Sequence, residues 1–195
     1  MILDGAILAG GRARRMGGVA KALLTVGGAR IVDRQLAVLA PLVREVFVVA
    51  PAPLDGVSLR AVPDLRAGLG PLAGIEAALA ASDADALLIV AGDMPALSPS
   101  LLAHLSTVAP EADAVAPRIG GRAEPLCARY SRRALPPVRA RLDRGELAVH
   151  ALLDELRAVF VDEATVRALD PSLVGLASVN TPDELARLEA LLSAR

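Results

Sequence analysis

Apolar and polar positions along this chain switch between two periods. Gly5–Leu8 is a short apolar run that predicts a first buried strand. Val46–Ala50 (VFVVA) and Ala86–Val90 (ALLIV) predict two more, the former rich in β-branched residues. Between them, Ile31–Leu42 and Leu72–Ala81 carry apolar residues at helical spacing, and Leu59–Val62 predicts a short strand. Ser98 followed by Pro99 predicts a helix start, with the serine as cap and the proline at the first helical position. Ala114–Pro117 and Leu126–Tyr130 predict strands on either side of a turn at Gly120-Gly121. Arg133–Arg144 and Leu147–Leu156 predict helices, and Val159–Val161 a short extended piece. Thr181, with Glu184 three residues on, predicts a capped last helix.

Near-continuously apolar strands alternating with helices imply an α/β fold: a mainly parallel sheet covered on both faces. The alternation loses regularity after Ala114, where a mixed-sheet insertion is expected. No polar linker divides the chain, so residues 1–195 are expected to form one domain.

Composition narrows the picture. The chain is 54% hydrophobic but only 2% aromatic, so the core is built from Ala, Leu and Val. Ring platforms for single-stranded nucleic acid are not expected. A net charge of −1 and the lack of a long basic run exclude a nucleic-acid surface. No uncharged apolar stretch reaches roughly 18 residues, so no membrane helix is expected. The first apolar run contains Asp4 and lacks a signal-peptide pattern, and the lone Cys127 excludes an intrachain disulfide. Both fit a cytoplasmic location.

The candidate chemistry lies where strands end. Directly after the first strand comes ILAGGRARRMGG, Ile7–Gly18, followed by Lys21. Gly10, Gly11, Gly17 and Gly18 alternate there with Arg12, Arg14 and Arg15. Glycines let backbone N–H groups approach a ligand, and clustered N–H groups with cations suit a phosphate chain. The loop is not a Walker A loop, because no GKS or GKT triplet follows at the required spacing. Nor is it a dinucleotide fingerprint, since Ala13–Met16 intervenes before the later glycines and the next helix begins only near Ile31. A plain glycine-rich connection would not need three arginines and a lysine.

The second element is Ala91-Gly92-Asp93-Met94-Pro95, at the end of ALLIV. A carboxylate at the carboxyl end of a parallel strand can hold Mg²⁺, which bridges substrate phosphates. The third is Gly68–Ile75, whose glycines around a helix start can press backbone against a base or ribose. Just upstream, Asp64 can accept hydrogen bonds from guanine N1–H and N2–H₂, or cap a turn. His104 and His150 sit in no motif.

Taken in order, LAGGRARRMGGVAK (Leu8–Lys21), VPD (Val62–Asp64), GPLAGI (Gly70–Ile75), GDMP (Gly92–Pro95), EPL (Glu124–Leu126) and VNTPDE (Val179–Glu184) resemble the molybdenum cofactor guanylyltransferase family, the MobA-type nucleotidyltransferases. The resemblance spans nearly the whole chain. It implies a Rossmann-like three-layer α/β/α fold with GTP bound over the carboxyl edge of the sheet. It implies Mg²⁺-dependent transfer of GMP from GTP to the terminal phosphate of molybdopterin, with release of pyrophosphate. By that match Leu8, Ala9, Gly10 and Gly11 contact the nucleotide, and Lys21 neutralises phosphate charge with Arg15 beside it. Asp64, Gly70 and Gly74 lie at the guanosine end, and Asp93 binds Mg²⁺ and the nucleotide. Glu124, Pro125, Leu126 and Asn180 lie toward the pterin. Proteins of molybdenum insertion and molybdoenzyme maturation are the implied protein partners.

Three positions depart from the family's pattern. Ala20 precedes the lysine where an Asp is frequent, Ala50 stands where some members carry an Asn, and Ser178 stands where a first Asn can occur. LAGG at Leu8–Gly11 matches the guanylyl type, whereas the cytidylyl type tends toward LAAG. A cytidylyltransferase acting on molybdopterin, another small-molecule nucleotidyltransferase, and a non-catalytic GTP-binding protein that hands the cofactor on stay open as alternatives.

Overall fold

The computed structural model describes residues 1–10 and 20–193 of the chain. Along them run β1 (Leu3–Leu8), β2 (Thr25–Val26), β3 (Ala29–Arg30), α1 (Ile31–Leu39), β4 (Val46–Val49), β5 (Ala61–Val62), α2 (Pro71–Ala80), β6 (Ala86–Ala91) and α3 (Pro99–Thr107). They continue with β7 (Ala114–Ile119), β8 (Arg122–Ala123), β9 (Cys127–Ser131), α4 (Leu135–Asp143), α5 (Val149–Glu155), β10 (Ala158–Val161), α6 (Glu163–Leu169) and α7 (Pro182–Ser193).

The strands line up in the order β10-β7-β9-β6-β1-β4-β5, with β8 paired to β7. β1 runs parallel to both β4 and β6, β4 to β5, and β7 to β10. The sheet is therefore mainly parallel, as the apolar runs predict. After Ala114 the pairing is mixed, as expected, but not as an insertion. There is no separate insertion: β7, β9 and β10 extend the same sheet, and β9 is the antiparallel member between β6 and β7. The reason is burial. All five residues of β9 are buried, so its backbone groups need a neighbour on each side.

Successive residues of each central strand point to opposite faces, and both faces are dry. Ile7, Val48, Leu88 and Val90 pack with Val32 and Leu39 of α1, Leu101 and Leu105 of α3, and Val166 of α6. Ala6, Phe47, Leu87 and Ile89 pack with Leu72, Ile75 and Leu79 of α2, Val138 and Leu142 of α4, and Leu152 of α5. The result is three layers around one sheet. Asp4, the acid within the first apolar run, is buried but satisfied: Arg44 donates to it at 3.1 and 2.9 Å and the Ser82 hydroxyl at 2.5 Å.

Three small pieces are absent from the sequence reading: β8, the β2–β3 hairpin, which turns at Gly27-Gly28, and α6, capped by Asp162, whose side chain accepts from Thr165 N at 2.8 Å. Val26 and Ile31 pack with Val174, Val179 and Leu188, so a third cluster holds the C-terminal segment over this hairpin. No described helix is long and apolar enough to cross a membrane.

Candidate functional site

The chain leaves β1 toward β4 and β5 on one side, then returns to place β6 on the other side of β1. The carboxyl ends of β1 and β6 therefore flank the point where strand order reverses, which is where open α/β sheets bind ligands. A cleft of about 950 Å³ opens there. That volume suits a nucleotide-sized ligand.

The backbone of β1 continues into Leu8, Ala9 and Gly10 at the cleft floor. Gly92 donates its N–H to Leu8 O at 2.9 Å. A Cβ on Gly92 would lie 2.9 Å from that same oxygen and 3.1 Å from Ala9 Cα, so only glycine permits this approach. Gly92 thereby delivers Asp93 to the cleft immediately after β6. The turn is also gripped from beneath. Gln35 of α1, 1% exposed, donates through Nε2 to Ala91 O at 2.7 Å and Met94 O at 3.0 Å.

Lys21 opens a short 3-10 turn, Lys21–Leu23, on the facing wall. Its Nζ lies 2.8 Å from Asp93 Oδ2, with both side chains 19% exposed, and it also donates to Asn180 Oδ1. The segment that carries Asn180 is tied down by Val179 N donating to Asp93 O at 2.9 Å. Glu184 Oε2 accepts from Asn180 N at 2.7 Å and Thr181 N at 3.0 Å, while Thr181 Oγ1 accepts from Glu184 N at 3.2 Å. This is the reciprocal cap that the Thr181–Glu184 spacing predicts. It places Asn180 at the centre of the cleft against Lys21.

Toward β5 the cleft is lined by Asp64, Gly68, Gly70 and Gly74. Asp64 Oδ2 comes within 4.0 Å of where a Gly10 side chain would begin. Burial pushes the Asp64 carboxyl above the ordinary carboxylate range. Arg66, two residues on, pairs with Glu76 of α2 at 3.2 Å and Asp143 of α4 at 2.7 Å, bracing this loop against two helices.

Toward β7 lie Glu124, Pro125 and Leu126. Their backbone is fixed by Glu124 N to Pro117 O at 2.9 Å, Ala91 N to Leu126 O at 2.8 Å, and Tyr130 Oη to Pro125 O at 2.8 Å. Burial pushes the Glu124 carboxyl up, against the pull of His150 and Arg122. Cys127 lies behind this wall, buried on β9, where burial pushes its thiol up to about 12. It is a core residue with no nucleophile's environment.

Every candidate site residue among those described thus lines one cleft; Gly11 and Arg15 lie outside the described residues. Three lining residues with polar side chains had no assigned site role in the sequence. Arg122 and His150 complete the β7 side, and Ser178 stands two residues before Asn180. Sequence spacing hides the first two, because a hairpin and a separate helix bring them together. The Gly120-Gly121 turn is the only signal that projects Arg122 from the sheet.

Among the described residues Asp93 is the only carboxylate at the centre of the cleft, and no cluster of three or more His, Cys, Asp or Glu side chains forms a metal cage. A single carboxylate facing a space for phosphates fits Mg²⁺, which is bound by one or two carboxylates together with substrate oxygens and water.

Residues 5–170 match the MobA-like NTP transferase domain. The molybdenum cofactor guanylyltransferase of Desulfosudis oleivorans is 35% identical over 195 residues, 98% of this chain and 96% of that protein. A molybdopterin-guanine dinucleotide biosynthesis protein A from Archaeoglobus fulgidus superposes with a TM-score of 0.84 at 27% identity, covering 98% of this chain and 100% of that one. A 2-C-methyl-D-erythritol 4-phosphate cytidylyltransferase from Thermus thermophilus shares the fold, with a TM-score of 0.71 at 21% identity over 99% of this chain and 100% of that one. With its strand order, glycine-lined cleft and Lys21–Asp93 pair, this chain belongs to the MobA-like NTP transferase family.

Proposed function

We propose that this protein transfers GMP from GTP to the terminal phosphate of molybdopterin and releases pyrophosphate, with Mg²⁺ as cofactor. The observation that carries the reading is the cleft's division around Asp93. A carboxylate suited to guanine, Asp64, lies on the β5 side, the Lys21–Asp93–Asn180 cluster is central, and a second, differently lined space lies toward β7. Adjacent strands are about 4.8 Å apart, so β5 and β7 are separated by roughly 24 Å, enough for two substrates end to end.

The reaction asks little of acid–base chemistry. An acceptor phosphate oxygen, already anionic, attacks the α-phosphorus of GTP. The bond from that phosphorus to the bridging oxygen of the β-phosphate breaks, and pyrophosphate leaves with the electron pair. Catalysis then rests on alignment and charge. The Lys21 ammonium has three N–H donors; two are directed to Asp93 and Asn180, which aims the third at a phosphate oxygen. Asp64 accepts the guanine N1–H and N2–H₂ donors. A Mg²⁺ held by Asp93 and the triphosphate would offset the charge that grows on the phosphoryl oxygens.

Incubation with Mg²⁺, molybdopterin and each of GTP, CTP and ATP, with pyrophosphate scored, tests the reading. Release with GTP alone is expected. Release with CTP in its place assigns the cytidylyl reaction, and GTP binding with no release leaves a cofactor-handover protein.

A further inference from the structure

Most arginines of the described chain are committed to carboxylates or carbonyls; Arg122 is different. It lines the cleft, is exposed, and its side chain forms no hydrogen bond or salt bridge with the described residues. The same holds for His150 at the start of α5, which lines the cleft beside it. Both act on the Glu124 carboxylate through space, favouring its charged form, yet neither forms a salt bridge with it. Their capacity for strong contacts is therefore unspent. They also lie on the β7 side, across Asp93 from Asp64.

Arg122 is not a loosely tethered surface cation. It follows the two-residue turn Gly120-Gly121, whose φ values of 55° and 78° are those of a type I′ hairpin. Ile119 pairs with Arg122 and Arg118 with Ala123 across it. The Arg118 guanidinium stacks 3.4 Å from the centroid of the Phe160 ring on β10, and Gly120 N donates to Glu163 Oε2 at 2.9 Å. Glu124 N donating to Pro117 O closes the hairpin at its base. The two strand pairs and three further contacts thus fix the hairpin, and Arg122 is the charged residue it presents to the cleft, beside Ile119.

An unpaired guanidinium on a braced hairpin, with an imidazole beside it, is built for an oxyanion with several equivalent acceptors. We propose that Arg122 and His150 form the subsite for the phosphate monoester of the acceptor, holding the attacking phosphate on the β7 side of Asp93. The inference rests on the transfer reaction proposed above. It adds a placement: the acceptor enters with its phosphate against the β7–β8 hairpin. A phosphate dianion there takes direct charge-assisted hydrogen bonds from the Arg122 guanidinium and a further hydrogen bond from the His150 imidazole. Because the nucleotide lies on the other side of Asp93, the two residues contribute to acceptor binding and not to GTP binding.

The test separates the two substrates. Arg122→Gln and His150→Gln are compared with wild type for the KM of molybdopterin, using pyrophosphate release with Mg²⁺ and saturating GTP, and for the Kd of GTP by calorimetry. Arg122→Gln is expected to raise the molybdopterin KM about tenfold or more and leave the GTP Kd within about twofold, with Arg122→Lys recovering part of the loss. His150→Gln is expected to raise the same KM by a smaller factor. An unchanged molybdopterin KM, or a GTP Kd that rises in parallel, overturns the subsite. If wild type releases no pyrophosphate, the transfer reaction itself fails. Direct titration with molybdopterin then decides the subsite: weaker binding by Arg122→Gln supports it, and equal binding by the two, or none by either, overturns it.

Discussion

At the scale of single residues, Lys21 and Asp93 hold the centre of the site, and each has a separable role. Asp93 is the carboxylate at the end of β6 to which the proposed reaction assigns the metal, and it pairs with Lys21 at 2.8 Å. Asp93→Asn keeps the shape and removes the charge. Because the pair is partly solvent-exposed, breaking it costs about 1 kcal/mol, or a melting shift of about 3 °C. Turnover is expected to fall a hundredfold or more on the order of other single electrostatic deletions, with Mg²⁺ dependence lost. A Mg²⁺ titration of pyrophosphate release beside a melting curve checks both parts, and undiminished turnover would remove Asp93 from the metal's side. Lys21→Ala removes the ammonium that the proposed reaction sets against the triphosphate. GTP binding by calorimetry is expected to weaken about tenfold, the loss of one charge-assisted contact; equal affinity would exclude that contact.

At the scale of elements, the capped start of α7 is what brings a distant part of the chain into the site. Asn180 is held against Lys21 by Glu184, which fixes the backbone N–H groups of Asn180 and Thr181, and by Val179 N donating to Asp93 O. Glu184→Ala is expected to cost about 1 kcal/mol of stability and to lower kcat several-fold, while Glu184→Gln, which can still accept those N–H groups, restores most of it. Loss of stability with kcat unchanged would make the cap structural only. This cap was legible in the sequence because its chemistry is local: Thr181 and Glu184 stand at capping-box spacing. β1, β4 and β6 were legible for a similar reason, since strands buried on both faces must be apolar throughout. The glycines and charges at their carboxyl ends then mark the cleft. What was not legible depends on packing. The seven residues of α6 and the two-residue strands β2 and β3 are too short for a period to show. Arg122 and His150 meet only because the β7–β8 hairpin and α5 close the same side of the cleft. The strands after Ala114 give no sign in their own residues that β9 will pair beside β6.

At the scale of the whole molecule, the sheet has a working edge and a fastening edge. The cleft occupies the carboxyl ends of β1 and β6, and the opposite edge is gathered by Asp113. That residue precedes β7; its N–H donates to Arg157 O at 3.0 Å, next to β10, and its O accepts from Ser131 N at 2.8 Å, at the end of β9. Its carboxylate takes Arg133 at 2.8 Å and Arg157 at 3.1 Å. The hydrogen bonds from Arg157, and those from Arg133, hold the Asp113 carboxyl down to about 2. Unfolded, it would titrate near about 3.9. The folded state thus binds the proton less readily, so the stabilisation is fully present above about pH 4 and is lost as pH falls toward about 2. Both arginines are largely exposed, which limits the gain to about 1 kcal/mol. Asp113→Asn is therefore expected to be less stable than wild type at pH 7 by about that amount in urea unfolding, with the two curves converging by about pH 2. The KM for GTP at pH 7 is expected to stay the same, because this fastening lies at the far edge of the sheet from the cleft. A stability gap that stays constant from pH 7 to pH 2 would show that packing at this edge, and not the charge of Asp113, holds β7, β9 and β10 together.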